Sequence, residues 1–290
     1  MSKNVFIFVP AFGQTITATT FLTTHGIRQH LNSKGMGGGI STLSFPDIAE
    51  LRGMALTIWY DTMPDVEYLL FIDADMGFPP EIVTDMILFD EPLIGTIYPQ
   101  RKMPLSWAGS GTGAAHTERR GNFMLVEGVG MGCTLIRRDL VKTMLEKMPE
   151  LVDTRLSLHP AGETLKAAGT TRLIRAFEKL DLPERGVVSE DLSFCLRWQR
   201  CGGKTWAAIG YRMSHVGPFD YAGRYLDMYE QAAPMNDVKP MDEKAIAAVG
   251  MAGQPAIDPP VSTVGPQAVV TAIVTPETPL PPVEILQAAE

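Results

Sequence analysis

Apolar residues along this chain fall into short unbroken runs, separated by stretches in which they recur at helical spacing. The runs at residues 5–9, 39–43, 68–72, 93–97, 125–126 and 133–136 are apolar or β-branched and nearly free of charge, as strands buried on both faces of a parallel sheet must be. Helical spacing marks residues 17–31, 46–61, 80–89, 138–147 and 189–199, the last stopped by Cys201-Gly202-Gly203. A further strand over 204–209 leads to His215. Strands alternating with helices predict an α/β fold. The pattern fails after about residue 230. Residues 231–290 hold ten prolines and no aromatic residue, too little apolar surface for a core of their own. We expect a folded unit over 1–230 and, over 231–290, a largely irregular tail with helix fragments at most near 243–249. Such a tail suits a linker or an arm that docks to a partner or a second subunit. No internal repeat is visible.

Charge narrows the classes of function. The formal charge is -8, of which about -5 lies in residues 231–290 (seven acids, two lysines), leaving about -3 on the rest. This argues against extended nucleic-acid binding, although Arg101-Lys102 or Arg119-Arg120 could meet a local anion. The run at residues 5–9 is too short for a membrane span or a signal segment, so a protein without a membrane span is expected. Cys133, Cys195 and Cys201 are odd in number and lack CxxC spacing, as expected of reduced thiols in a cytoplasmic protein without a zinc site.

Four groups of residues carry candidate chemistry. The strand ending at Ile72 runs into Asp73-Ala74-Asp75, with Gly77, Pro79 and Pro80 beyond. Ligands of open α/β sheets gather at the carboxyl ends of strands, so two acids there are placed for chemistry. On an extended backbone they share a face about 7 Å apart, close enough for one to bind a divalent cation and the other a ribose or a metal-bound water. Asp is also a common turn residue, and local backbone capping is the lesser alternative for the pair. An EF-hand is excluded because its sixth loop position is Phe78 rather than Gly. Ser189-Glu190-Asp191 reads as an N-cap followed by two first-turn acids. They either serve the helix dipole, at about 0.3–1 kcal/mol each, or face a cleft as a general base. Of the histidines, His25, His30, His116 and His159 read as structural or surface residues, whereas His215 follows a strand and can reach the rim occupied by Asp75. Gly128-Val129-Gly130-Met131-Gly132, before the strand at 133–136, serves tight packing or lets backbone approach a sugar.

Taken in order, these elements resemble GT-A glycosyltransferases, nearest to the family 2-like group, over about residues 3–225. Val9-Pro10-Ala11, Arg52, Gly95 and Tyr98-Pro99 add to the likeness. The resemblance implies a GT-A fold, with a Rossmann-like, mostly parallel central sheet flanked by helices, and transfer of a sugar from a nucleotide donor to a hydroxyl acceptor. It implies a divalent cation (Mn²⁺ or Mg²⁺) and a UDP- or GDP-sugar, with a glycan, lipid, protein or modified base as acceptor. Carried over, Pro10, Ala11, Phe12 and Arg52 contact the nucleotide, and Asp73 and Ala74 lie against the donor. Asp75 and His215 hold the cation, with Asp73 at the ribose or in the metal shell. Asp191 is the base, Glu190 orients the acceptor, and Tyr98, Arg101 and Trp107 belong to a sugar pocket or lid. Direct attack would invert the anomeric centre.

The chain departs from the family where Arg197-Trp198-Gln199-Arg200 falls on the Glu-Asp helix itself and where Gly53 follows Arg52. These features argue against processive polymer synthesis and leave the nucleotide contact of that helix open. A non-catalytic nucleotide-sugar or glycan-binding protein is the alternative. A sugar nucleotidyltransferase fits less well, because the Gly-rich phosphate loop of that class is missing after the first strand.

Overall fold

The computed structural model describes residues 3–109 and 118–232. The seven expected strands, joined by the unpredicted pair Arg119–Arg120, form a central eight-stranded sheet. In chain order its members and neighbours are β1 (Val5–Pro10), β2 (Gly37–Leu43), β3 (Tyr68–Ile72), β4 (Met76–Gly77), β5 (Leu93–Thr96), β6 (Tyr98–Pro99), β7 (Trp107–Ala108), β8 (Arg119–Arg120), β9 (Phe123–Val126) and β10 (Gly130–Arg137). Five helices follow the predicted spans: α1 (Ala18–Ser33), α2 (Ile48–Thr62), α3 (Glu81–Phe89), α4 (Arg138–Lys147) and, after a shorter α5 (Gly162–Ala167), α6 (Glu190–Arg200). The sheet order is β2-β1-β3-β10-β5-β15-β9-β8, where β15 is Thr205–Ala208. Strands β2, β1, β3, β5, β15 and β8 point one way, while β10 and β9 run against them.

Alternation along the buried strands builds two cores. Phe6 and Phe8 of β1 and Leu69 and Phe71 of β3 face α2, α4 and α6, joining Leu51, Trp59, Leu140, Phe194 and Trp198. Val5, Ile7 and Val9, with Tyr68, Leu70 and Ile72, face α1 and α3, joining Ile27, Leu31, Ile82 and Met86. Side chains two apart share a face of a strand, so an apolar residue at every position means helices on both sides. The result is a three-layer α/β/α arrangement. Cys133, Cys195 and Cys201 are buried free thiols within these layers.

Residues 149–187, without a predicted element, form short pieces that close over α2. They include α5, the pair β11 (Val152–Asp153) and β12 (Leu173–Ile174), and the hairpin β13 (Asp181–Leu182) and β14 (Gly186–Val187). Leu156, Ala161, Leu165 and Leu173 pack on Met54 in a third apolar cluster. The Ile174 N–H donates to Thr57 Oγ1 at 2.8 Å. A Cβ at Gly53 would stand 3.0 Å from the Ile174 carbonyl oxygen, so glycine here allows β12 to lie against the helix. Buried from both sides, α2 hides even Arg52.

After Asp75 the chain enters β4, which joins β16 (Arg212–Val216) and β17 (Asp220–Arg224) in a small antiparallel sheet and sets His215 opposite Met76. The final described helix is α7 (Tyr225–Ala232). No helix among the described residues is long and apolar enough to cross a membrane. The expectations for His116 and for the helix fragments near 243–249 lie outside the described residues, as does the tail from 233 onward.

One boundary differs from the sequence expectation. The strand expected to begin at Cys133 begins at Gly130, so Gly130 and Gly132 lie within β10 instead of before it. They share a face of that strand, and a Cβ at Gly130 would fall 2.3 Å from Tyr98 Oη, one at Gly132 2.8 Å from the Tyr98 ring. The alternating glycines clear a seat for a buried tyrosine. Gly130→Ala is therefore expected to lose about 1–3 kcal/mol by overpacking. Because the hydroxyl is the nearest atom, the loss should shrink by about 0.5 kcal/mol or more in a Tyr98→Phe background. Denaturant unfolding of the four proteins in this cycle measures it, and an equal loss in both backgrounds would refute the clash.

Candidate functional site

The rim at the carboxyl ends of β1, β3 and β5 gathers most of the candidate residues. Parallel register sets Phe8 beside Phe71, so β1 and β3 end together. The antiparallel β10 brings its amino end to the same rim, where the Asp73 N–H donates to the Gly132 carbonyl at 3.2 Å.

The two acids do not share an extended face as the sequence pattern predicts. A turn begins at once: the strand ends at Ile72, and the Met76 N–H donates back to the Asp73 carbonyl at 3.3 Å. The turn separates them. Asp73 meets Arg52, whose Nη2 donates to Asp73 Oδ1 at 2.8 Å, and Asp75 meets His215 and Arg101.

Arg52 is the centre of the first group. Its Nη1 donates to Glu190 Oε1 at 2.8 Å and also to Asp191 Oδ1, so carboxylates from the end of β3 and the start of α6 share one guanidinium. Ser189 caps α6 by accepting the Leu192 N–H, which places Glu190 and Asp191 in the first turn at the rim. The Arg52 side chain is only 4 % exposed. Burial disfavours its charge, but Asp191, Asp73 and Glu190 outweigh that cost and raise its pKa. Three carboxylates against one cation leave a net charge of -2 when all are ionised, and one acid bears the consequence. Burial pushes the Asp191 carboxyl up to about 7; Arg52 opposes this, Asp73 and Glu190 add to it, and the Met131 N–H, donating to Asp191 Oδ2 at 3.3 Å, moderates it.

The second group is Asp75, His215 and Arg101. A carbonyl only accepts, so His215 Nδ1–H donates to the Pro99 oxygen at 2.9 Å. That assigns the tautomer and turns the Nε2 lone pair of the neutral ring toward Asp75 Oδ2 at 3.3 Å. Burial favours the neutral ring, but hydrogen bonding to Asp75 and Pro99 outweighs it and raises the pKa of His215. Arg101 Nη1 reaches the same Asp75 Oδ2 at 2.9 Å.

Tyr98 stands between the groups. Its ring lies edge-on to His215, 5.4 Å between centroids, and its phenol is held well above the usual range by burial and by the charges of Asp73 and Asp191. It therefore stays a neutral donor.

Among the described residues no three His, Cys, Asp or Glu side chains gather around one point as a metal cluster. Asp75 and His215 nonetheless fit a divalent cation as a pair. Such ions hold carboxylate and imidazole donors at about 2.0–2.2 Å, so neighbouring donors stand about 3 Å apart.

The remaining candidates surround this centre. Pro10 and Ala11 are buried where β1 leaves the sheet, Ala11 donating its N–H to the Leu43 carbonyl at 2.9 Å. Phe12 is 73 % exposed at the same rim. The Ala74 carbonyl accepts the Thr17 N–H at 2.8 Å, which fixes the turn to α1. Trp107, expected in a pocket or lid, packs edge-on to Tyr225 at 5.4 Å. Tyr98 is a buried wall instead of a lid. Sequence reasoning missed the Met131 N–H and the Pro99 carbonyl, because backbone groups leave no mark on residue identity. The Gly130-x-Gly132 spacing was the visible sign of the tyrosine seat.

No family model matches this chain, and no curated protein matches it. Among solved structures, it is similar to A197 from STIV at 18% identity and a TM-score of 0.42, covering 74% of this chain and 86% of that one. It is also similar to a glycosyltransferase involved in the glycosylation of the major capsid of PBCV-1, at 11% identity and a TM-score of 0.29, covering 56% and 73%.

The raised Asp191 pKa fixes a sign. The folded state holds a proton that the unfolded chain releases near its ordinary value of 3.8, so this group's contribution to stability falls as pH rises toward about 7. Asp191→Asn abolishes that fall. In urea unfolding, its stability relative to wild type should be higher at pH 8 than at pH 5, and an equal difference at both pH values would contradict the assignment. Arg52→Met should instead destabilise by about 3–5 kcal/mol, because it strands buried carboxylates without their cation.

Proposed function

We propose that the protein transfers a sugar from a nucleotide-sugar to a hydroxyl acceptor, with a divalent cation at Asp75 and His215. The observation that carries this is Asp191: a carboxyl at the sheet rim, fixed by Arg52 and the Met131 N–H and titrating near neutrality, beside a carboxylate–imidazole pair. A general base works best with a pKa close to the working pH.

Asp191 takes the proton of the acceptor hydroxyl as its oxygen bonds to the anomeric carbon, and the bond from that carbon to the diphosphate oxygen breaks. Direct attack inverts the centre. A bound cation supplies stabilisation of the charge left on the nucleoside diphosphate. Arg52, expected at the nucleotide, has both terminal nitrogens committed to carboxylates. We assign it to holding Asp73, Glu190 and Asp191 in place. Glu190, on the same guanidinium, orients the acceptor. Phe12 offers an exposed ring to the donor base beyond β1, with Pro10 and Ala11 as its support. Tyr98 screens the two charged groups, with its hydroxyl seated against Gly130 and Gly132 of β10.

The donor is a UDP- or GDP-sugar, and it should raise the melting temperature more with Mn²⁺ than without. Asp191→Asn should keep that shift and lose transfer by about 10²–10⁴-fold. Unchanged turnover would remove Asp191 from the base role, and no melting shift with any nucleotide-sugar would remove the reading itself. Retained binding with no transfer even in the wild type would favour the non-catalytic alternative.

A further inference from the structure

We propose that Arg101 is a displaceable counter-cation of the Asp75–His215 pair: it holds Asp75 until a divalent cation takes its place, and it then turns to the donor diphosphate. This rests on the reading of Asp75 and His215 given above.

The argument starts from one atom. Arg101 Nη1, at 2.9 Å, and His215 Nε2, at 3.3 Å, both address Asp75 Oδ2. A dication between Asp75 and His215 would occupy that oxygen and repel the guanidinium touching it. Arg101 is built to leave. Its side chain is 50 % exposed, and it sits on the connection between β6 and β7, which is tied across its base by the Gln100 N–H to the Ser106 carbonyl at 2.7 Å. Arg52 has the opposite design, buried and shared by three acids.

Room for Arg101 comes from the turn between β16 and β17. A Cβ on Gly217 would stand 2.9 Å from Arg101 Cδ and 3.5 Å from Cγ, so the arginine stem lies over a glycine. Its head therefore rests at the cation position while its stem stays anchored beside it. Once displaced it remains next to the cation, where its planar fork suits phosphate oxygens.

Calorimetry on the full chain tests this, first with Mn²⁺ alone and then with UDP and GDP at saturating Mn²⁺. A half-exposed ion pair corresponds to about a two- to fivefold ratio in binding constant. Arg101→Ala should bind Mn²⁺ tighter by that factor yet bind the nucleoside diphosphate more weakly, whereas a merely disrupted loop would weaken both. Arg101→Lys should restore wild-type Mn²⁺ affinity. Gly217→Ala, which pushes the stem aside and keeps the charge, should shift Mn²⁺ affinity in the same direction as Arg101→Ala. If Arg101→Ala binds Mn²⁺ as the wild type does, or more weakly, the inference fails, while Mn²⁺-dependent nucleotide binding by the wild type would leave the proposed function standing. Absence of Mn²⁺ binding in both proteins would overturn the inference and the cation site together.

Discussion

One buried guanidinium shared by three carboxylates is the interaction on which the rim depends. Arg52 reaches Asp73 across 21 residues of sequence, Glu190 across 138 and Asp191 across 139. A single side chain therefore joins the middle of α2, the end of β3 and the start of α6. In a poorly solvated position a charge without a partner is far more costly than at the surface, and so is an excess of one sign. The group meets the first cost by pairing and keeps the second. Burial lifts Asp191 toward neutrality against the pull of Arg52, and the surplus negative charge of Asp73 and Glu190 adds to that lift.

The two arginines at the rim divide the electrostatic work. Arg52 is fixed, and the three acids it holds are fixed with it. Arg101 touches one acid from the solvent side, half exposed. Between them lies Tyr98, buried, neutral and wedged against Gly130 and Gly132. The turn after Ile72 sends Asp73 to one group and Asp75 to the other. Two acids separated by a single residue can thus have different partners and different tasks.

Much of this was legible in the sequence, and the failures have physical causes. Strands buried on both faces announce themselves as uncharged apolar runs, which is why β1, β3 and β5 fall where the pattern puts them. The meeting of Asp75 with His215, 140 positions later, comes from the pairing of β4 with β16, which holds His215 inside a strand instead of just past one. The turn at Asp73-Ala74-Asp75 was misjudged because an acid pair reads the same on a strand as in a turn, and only the Met76 to Asp73 hydrogen bond separates the two. The extent of β10 was misjudged because glycines inside a strand look like glycines before one until the tyrosine they accommodate is known. Arg52 was legible as a residue and illegible as a hub, since its burial depends on segments remote from it.

That burial exposes a dependence running from apolar packing to site chemistry. One face of α2 is covered by the sheet, and on its own this would leave a charged residue on the far side free to reach water. Residues 149–187 remove that freedom: Leu156, Leu165 and Leu173 close on Met54, the Ile174 N–H ties to Thr57, and Gly53 lets the backbone come near. From this enclosed helix the Arg52 guanidinium reaches the rim where the acids stand. Low exposure then strengthens each contact Arg52 makes there and raises the penalty for losing any of them. The short irregular segments carry no candidate catalytic residue, yet they bury the helix from which Arg52 reaches Asp191. Packing at a distance from the rim is thus part of the chemistry at it.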